Sequence, residues 1–393
     1  MEFVCNDGMY REDKVCWFIG SNDNILYKMT LPEHEVQSVA VLPKEGTSDY
    51  RIHRYCIKYK SKIYCLPFYL SESITVYDIN EDKLSQISIP NPGKKDLIVF
   101  NAWIVDETLW CVSNGLRQII EISLTENKVV STCPIFSNNG EECGPEAVLV
   151  DKSIYCVSTK TTTIVEFNTV NKSTKQYKLP VKDIGFGTIA FEGAGFYLTG
   201  YQQNIYYWQK ERATVEVYNQ FPQDFFNQES DVDTPCDFIF YKTLTFKDRV
   251  LFVPMNGRNV KSNSILGFHK SKQSIEKVDF SQGLTLNKAG VSWIVAEYVD
   301  EDDGIYIWDG KNNVLIRYDI NTNESSTEIM KKDAEKDKLF LKKMWDKNSI
   351  VIETFNCSLD LFLQEVCTNE TSNIEKTEAV GGMIWEAMKD SRK

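Results

Sequence analysis

Residues 109–123 read LWCVSNGLRQIIEIS, and residues 154–168, 45 positions further on, read IYCVSTKTTTIVEFN. Each opens with an apolar and aromatic run around one cysteine, breaks at a polar stretch, and resumes with a segment rich in isoleucine and valine. Short runs of β-branched and aromatic residues bounded by Gly, Ser, Thr and Asn have the content of strands, not helices. The first segment returns as VCWFIG from Val15, IYCLP from Ile63, FYLTG from Phe196, VLFVP from Val250, IYIWD from Ile305 and, more weakly, IVIET from Ile350. The successive intervals are 48, 46, 45, 42, 54, 55 and 45 residues. The second segment begins at Ile25, Ile74, Ile119, Ile164, Ile205, Ile265 and Val314. A third follows a polar turn and commonly closes at a proline (Pro43, Pro90, Pro134, Pro180, Pro222), which suits a strand end because proline lacks the ladder donor. Another β-rich segment precedes each anchor, as in RIHRYCIKY from Arg51, LIVFNAWIV from Leu97 and GTIAFEG from Gly187.

Four short strands per repeat of this length make one blade of a β-propeller. A lone blade cannot bury both faces, so only closure of the ring removes the exposed stacking surfaces. The fold class is therefore all-β, a propeller of seven or eight four-stranded blades. Seven complete repeats end near Met330, and KLFLKKMW from Lys338 with SIVIETF from Ser349 reads as the inner hairpin of an incomplete eighth. The favoured arrangement is an eight-position ring finished by short C-terminal helices over residues 358–366 and 374–387. This divides the chain into a propeller at 1–356 and a helical tail at 357–393 that packs on it. The texture of ITVYDINEDKL from Ile74 and VLIRYDINTNES from Val314 resembles the propeller superfamily of WD40-like, YVTN-like and Kelch-like repeats, over residues 1–356. The Kelch glycine pair occurs only as Gly381 and Gly382 in the tail, and the one Trp308, Asp309 pair lies in the wrong strand for a WD40 landmark. The resemblance thus implies a fold and transfers no functional residue.

The 393 residues are 42% hydrophobic and 12% aromatic, and 44 basic against 56 acidic side chains leave a net charge of −12. That composition folds as an ordinary globular chain, and the charge repels phosphate backbones and anionic lipid, which argues against nucleic-acid or membrane partners. The start, MEFVCNDGMYRED, has neither a basic leader nor a long apolar run, so the chain reads as a cytoplasmic monomer. Eleven cysteines without a C-x-x-C pair read as reduced thiols, with Cys65, Cys111 and Cys156 expected to be buried because they occupy one equivalent repeat position.

No cofactor motif stands up. GFGTIA from Gly185 has dinucleotide-loop spacing but continues into β structure where a helix would be needed, and reads as a crossover into the fifth blade. No catalytic residue and no metal ligand set is assigned. Of three histidines, His34 and His269 read as surface residues. His53 sits in an inner strand with Arg51 on the same face by alternation, a pair suited to an anion at the channel mouth or to a satisfied polar contact beside the core. Asn101 and Trp103 share a face in the next inner strand, and Glu146 follows in the one after. Arg51, His53, Asn101, Trp103 and Glu146 are therefore the candidate ligand-binding residues, for a protein, peptide or glycan at one channel mouth. The alternative is a propeller lyase or hydrolase using a metal or carboxylate site built from Asn101, Glu146, Asp237 and His53. The acidic runs at 229–233 and 300–303 read as solvated loops, since carboxylates on one turn point in different directions.

Overall fold

In a computed structural model the described residues are 8–20, 24–43, 53–68, 71–91, 96–136, 140–223, 225, 238–246, 248–254, 264–279, 296–299, 304–309, 314–319, 322, 324–333, 335–337 and 339–340. They form seven sheets in chain order, each built on a four-stranded antiparallel meander, and the first sheet carries a fifth, parallel strand. The innermost strands are Tyr10–Glu12, His53–Tyr59, Val99–Val105, Cys143–Val150, Phe186–Glu192, Phe240–Thr245 and Ala296–Val299. We number the sheets as blades 1 to 7. The inner strands of blades 2 to 6 contact one another in succession, and those of blades 4 and 6 also meet, as strands converging on a common axis must.

The repeated anchors are the second strands. Lys62–Pro67, Thr108–Ser113 and Ser153–Ser158 take equivalent places in their blades. In each the cysteine faces the same point of the inner strand: Cys65 opposite Cys56, Cys111 opposite Ala102, Cys156 opposite Ala147. All three thiols are fully buried and free; burial pushes those of Cys65 and Cys111 well above the ordinary thiol range, and a hydrogen bond with Cys143, then burial, does the same for Cys156. The isoleucines that open the third strands of blades 1 to 6 are likewise buried. Packing runs between blades: one apolar cluster joins Ile63 and Cys65 to Trp17 and Leu26, the next joins Tyr64 and Ile74 to Leu109 and Ile120, and three more repeat the pattern through blade 6. Among the described residues of blades 1 to 6 the faces thus pack blade on blade, which ties stability to the ring as a whole.

Polar brackets reinforce these interfaces. Lys210 of blade 5 donates to Glu166 of blade 4 at 2.9 Å, and Glu166 also accepts Tyr155 and Tyr177 hydroxyls at 2.9 and 2.6 Å. GFGTIA enters the inner strand of blade 5, as the β reading requires. A Cβ on Gly185 would lie 2.4 Å from the Thr159 carbonyl, so the backbones approach too closely for any side chain.

The described residues make seven blades, within the seven or eight expected, and after blade 7 the chain crosses to blade 1. The last strand of blade 7, Glu324–Ile329, leads through buried Met330 into Lys331–Lys332, which pairs parallel with the outermost strand of blade 1, Glu35–Val41. Leu339 and Phe340, read from sequence as part of an inner strand, are helical. The reason is local: Asp333 accepts the backbone N–H groups of Glu335 and Lys336 at 3.1 and 3.0 Å, and this cap starts a helical turn within the charged run. Residues 341–393, including the strand from Ser349 and both expected tail helices, lie outside the described residues. His34 is not a surface residue: it is buried, and its carbonyl accepts Lys331 N–H at 2.9 Å. His269 ends a third strand, is mostly covered, and lies 2.8 Å from Glu276.

Candidate functional site

The inner strands share an irregularity that decides which side chains face the channel. In blade 2 the register steps from His53 opposite Pro67 to Tyr55 opposite Leu66, leaving Arg54 as an extra residue. The same step leaves Phe100 extra in blade 3, Gly187 in blade 5 and Tyr241 in blade 6. In blade 4 it spans Gly144, Pro145 and Glu146. A β-bulge re-aims the residues around it, and here it recurs at one level of five consecutive blades.

Four of these bulges surround a cavity of about 230 Å³. Its walls carry Arg54 and Tyr55 from blade 2, Phe100, Asn101 and Trp103 from blade 3, Pro145 and Glu146 from blade 4, and Tyr241 and Lys242 from blade 6. Gly8 and Met9 close it on the side of blade 1. Blade 5 contributes no lining side chain. A Cβ on its bulge residue Gly187 would stand 2.6 Å from the Phe238 ring, and Thr188 is bonded to Thr199 at 2.7 Å.

Glu146 is the most constrained group of the site. It is 6% exposed, and its two oxygens accept different backbone donors, Ile189 N–H of blade 5 at 3.3 Å and Thr243 N–H of blade 6 at 3.0 Å. Three blades meet at one carboxyl group. Burial pushes its pKa up to about 7, against the opposing pull of Lys242 and the donated hydrogen bonds. Asn101 reaches toward the same point, donating to the Pro145 carbonyl at 3.0 Å, while Asn114 donates to the Cys143 and Gly144 carbonyls at 3.0 and 2.6 Å. Blade 3 thus fixes the bulge that positions Glu146. On the opposite wall the Arg54 guanidinium lies 3.9 Å above the Phe100 ring and 5.1 Å from that of Phe68, a cation–π stack between neighbouring bulges.

Of the five residues expected at a channel mouth, Asn101, Trp103 and Glu146 line this one cavity. Arg51 lies outside the described residues, as does Asp237. His53 is placed elsewhere. It is fully buried, with Nδ1 at 2.9 Å from Asn24 Oδ1 of blade 1 and Nε2 at 2.9 Å from Thr75 Oγ1 of blade 2. The bulge at Arg54 turns His53 away from the channel into the interface between blades, so it acts as a bracket and not as a ligand group. His53→Leu should cost about 2 kcal/mol, because two buried polar partners lose their bonds. Urea unfolding would show this, while ligand binding by the folded fraction stays unchanged. Arg54, Tyr55, Phe100, Tyr241 and Lys242 were not foreseen, because strict alternation fails at a bulge.

The protein is a β-propeller. It is similar to a chain in the crystal structure of a mitotic checkpoint complex over 79% of this chain and 86% of that one, with a TM-score of 0.55 at 8% identity. It is also similar to BamB from Moraxella catarrhalis over 78% and 82%, with a TM-score of 0.48 at 9% identity. No family model and no curated protein sequence matches the chain.

Proposed function

We propose that this propeller is a non-catalytic binding module that takes a protein or peptide partner at the channel mouth, seating one group of that partner in the cavity between blades 2, 3, 4 and 6. The observation that carries this reading is the cavity itself, where bulges of separate blades bring four aromatic rings, two cations and an amide into one concave wall. Such convergence of apolar surface with a few polar groups is what recognition of a compact group needs. The volume suits a side chain or chain end and not an oligosaccharide, which places glycans second. The propeller in the checkpoint structure belongs to a multi-protein complex, which is in keeping with a protein partner.

Panning a phage-displayed peptide library against the purified protein supplies binders. Trp103→Ala and Arg54→Gln should each weaken them by about 1 to 3 kcal/mol, the range for losing a stacking surface or a charged hydrogen bond. Unchanged affinity in both folded variants would reject this mouth. A hydrolase or lyase is the second reading, favoured by a buried carboxyl titrating near neutrality. It is weaker because both Glu146 oxygens already hold the backbones of blades 5 and 6.

A further inference from the structure

We propose that Cys143 and Cys156 of blade 4 form an oxidative modification site, where a peroxide joins the two thiols in a disulfide and the disulfide weakens binding in the cavity between blades 2, 3, 4 and 6. The effect on binding rests on the reading of that cavity as a binding site; the disulfide itself does not.

The register brings the two cysteines together. Cys143 opens the inner strand of blade 4 opposite Ser158, and Ser158 shares a face with Cys156 two residues away. Both cysteines accordingly belong to the apolar cluster between blades 3 and 4. In a regular ladder such diagonal neighbours stand about 7 to 8 Å apart, beyond the usual span of a disulfide. The irregularity between Cys143 and Ala147 breaks that spacing, and the two thiols come into hydrogen-bonding contact. Cys111, by contrast, faces Ala102. Cys56 and Cys65 face each other in blade 2, but both are fully enclosed. Cys143 is 7% exposed and follows the exposed Glu142, so an oxidant reaches it first.

The chemistry balances with the peroxide alone. The Cys143 sulfur attacks hydrogen peroxide, the O–O bond breaks, and a sulfenic acid and one water form. The Cys156 sulfur then attacks the Cys143 sulfur, the S–O bond breaks, and the hydroxyl leaves with the Cys156 proton as a second water. Two thiols are oxidised and one peroxide is reduced.

The new bond ties together the two ends of the bulge that builds one wall of the cavity. Within that bulge the Pro145 carbonyl accepts Asn101, and the Glu146 oxygens accept the Ile189 and Thr243 N–H groups. Gly144 lies hard against the Val157 side chain and the Phe186 carbonyl, with no room even for a Cβ. Drawing two sulfurs from contact to a bond of about 2 Å therefore finds no slack at Gly144 and passes to Pro145 and Glu146, which line the cavity.

The test treats the folded protein with hydrogen peroxide, quenches it, alkylates it in denaturant and maps its cysteines by mass spectrometry. A Cys143–Cys156 cross-link should form and be reversed by dithiothreitol, while Cys111 stays open to alkylation, which shows that the ring stayed closed during the reaction. Cys143→Ser and Cys156→Ala should each abolish the cross-link, and Cys65→Ala should not. No cross-link, a bond from Cys143 to Cys133, which packs against the same cluster, or a first bond between Cys56 and Cys65 would each overturn the assignment. Panned peptides that depend on Trp103 should bind the cross-linked protein several-fold more weakly than the reduced protein, and should bind Cys156→Ala equally with and without peroxide. Equal affinity for cross-linked and reduced protein would overturn the link to the cavity and leave the modification site. If the cross-link forms and no panned peptide depends on Trp103, the binding reading and the link fall together, and the disulfide stands.

Discussion

Glu146→Leu is expected to destabilise the propeller by about 4 kcal/mol at pH 6, because it strands two buried backbone N–H groups at about 1 to 3 kcal/mol each. The donors are Ile189 and Thr243, on two different blades, so the loss falls on the centre of the ring and not on one sheet. Glu146→Gln keeps one acceptor and turns an amide nitrogen toward the other donor, and should cost about half as much. The pH dependence has a definite sign. The folded pKa of about 7 lies above the ordinary 4.5, so between these values the folded chain holds a proton that the unfolded chain has released. Stability contributed by Glu146 is therefore greatest below about pH 4.5 and is lost as the pH rises through 7, a change of about 3 kcal/mol over the window. Urea unfolding of wild type and Glu146→Gln at pH 5, 6, 7 and 8 tests this. The advantage of wild type over the variant should shrink steadily toward pH 8, and parallel curves would show that Glu146 does not titrate in this window.

The blade pattern was legible because one position of each repeat carries a chemical demand that only a few residues meet. Ile25, Ile74, Ile119, Ile164, Ile205 and Ile265 are buried at the start of a third strand, where a β-branched residue packs between two blades. The cysteine of the second strand fills an equally tight space. The site was legible only in part. Asn101 and Trp103 were found because both lie beyond their bulge, where alternation holds again. Of the two readings open for His53, the structure shows the satisfied polar contact beside the core, because His53 lies before its bulge and the extra Arg54 changes the face on which the following residues stand. Bulge residues as different as Arg54, Phe100, Gly187 and Tyr241 occupy the same place, so no residue type marks the step. At the end of the ring, Leu339 and Phe340 have the apolar content of a strand, yet they are helical, in a segment whose first turn Asp333 caps.

That closing segment makes the second large effect. The double variant Lys331→Pro with Phe340→Ala is expected to lose about 5 kcal/mol, of which about 3 comes from truncating a buried phenylalanine and the rest from removing a strand donor. Phe340 is 7% exposed, and Lys331 N–H donates to the His34 carbonyl at 2.9 Å. Between them the Ser38 hydroxyl donates to Asp337 at 2.8 Å and Lys336 pairs with Glu35, so the stretch is anchored to the outermost strand of blade 1 along its described length. Among the described residues the four meander strands of blade 1 and the four of blade 7 each come from one contiguous segment, and the fifth strand of the first sheet, Lys331–Lys332, comes from beyond blade 7. The strand Lys331–Lys332 therefore acts as the clasp between the last blade and the first. Leu339→Ala is the internal control, since Leu339 is 66% exposed and should change stability by no more than about 0.5 kcal/mol. Hydrogen exchange gives the spatial readout: the double variant should lose protection first in Glu35–Val41, while the strands of blade 4, on the far side of the ring, keep theirs. A double variant that unfolds like wild type, or that loses protection evenly through all blades, would mean that the ring holds its first and last blades together without this segment.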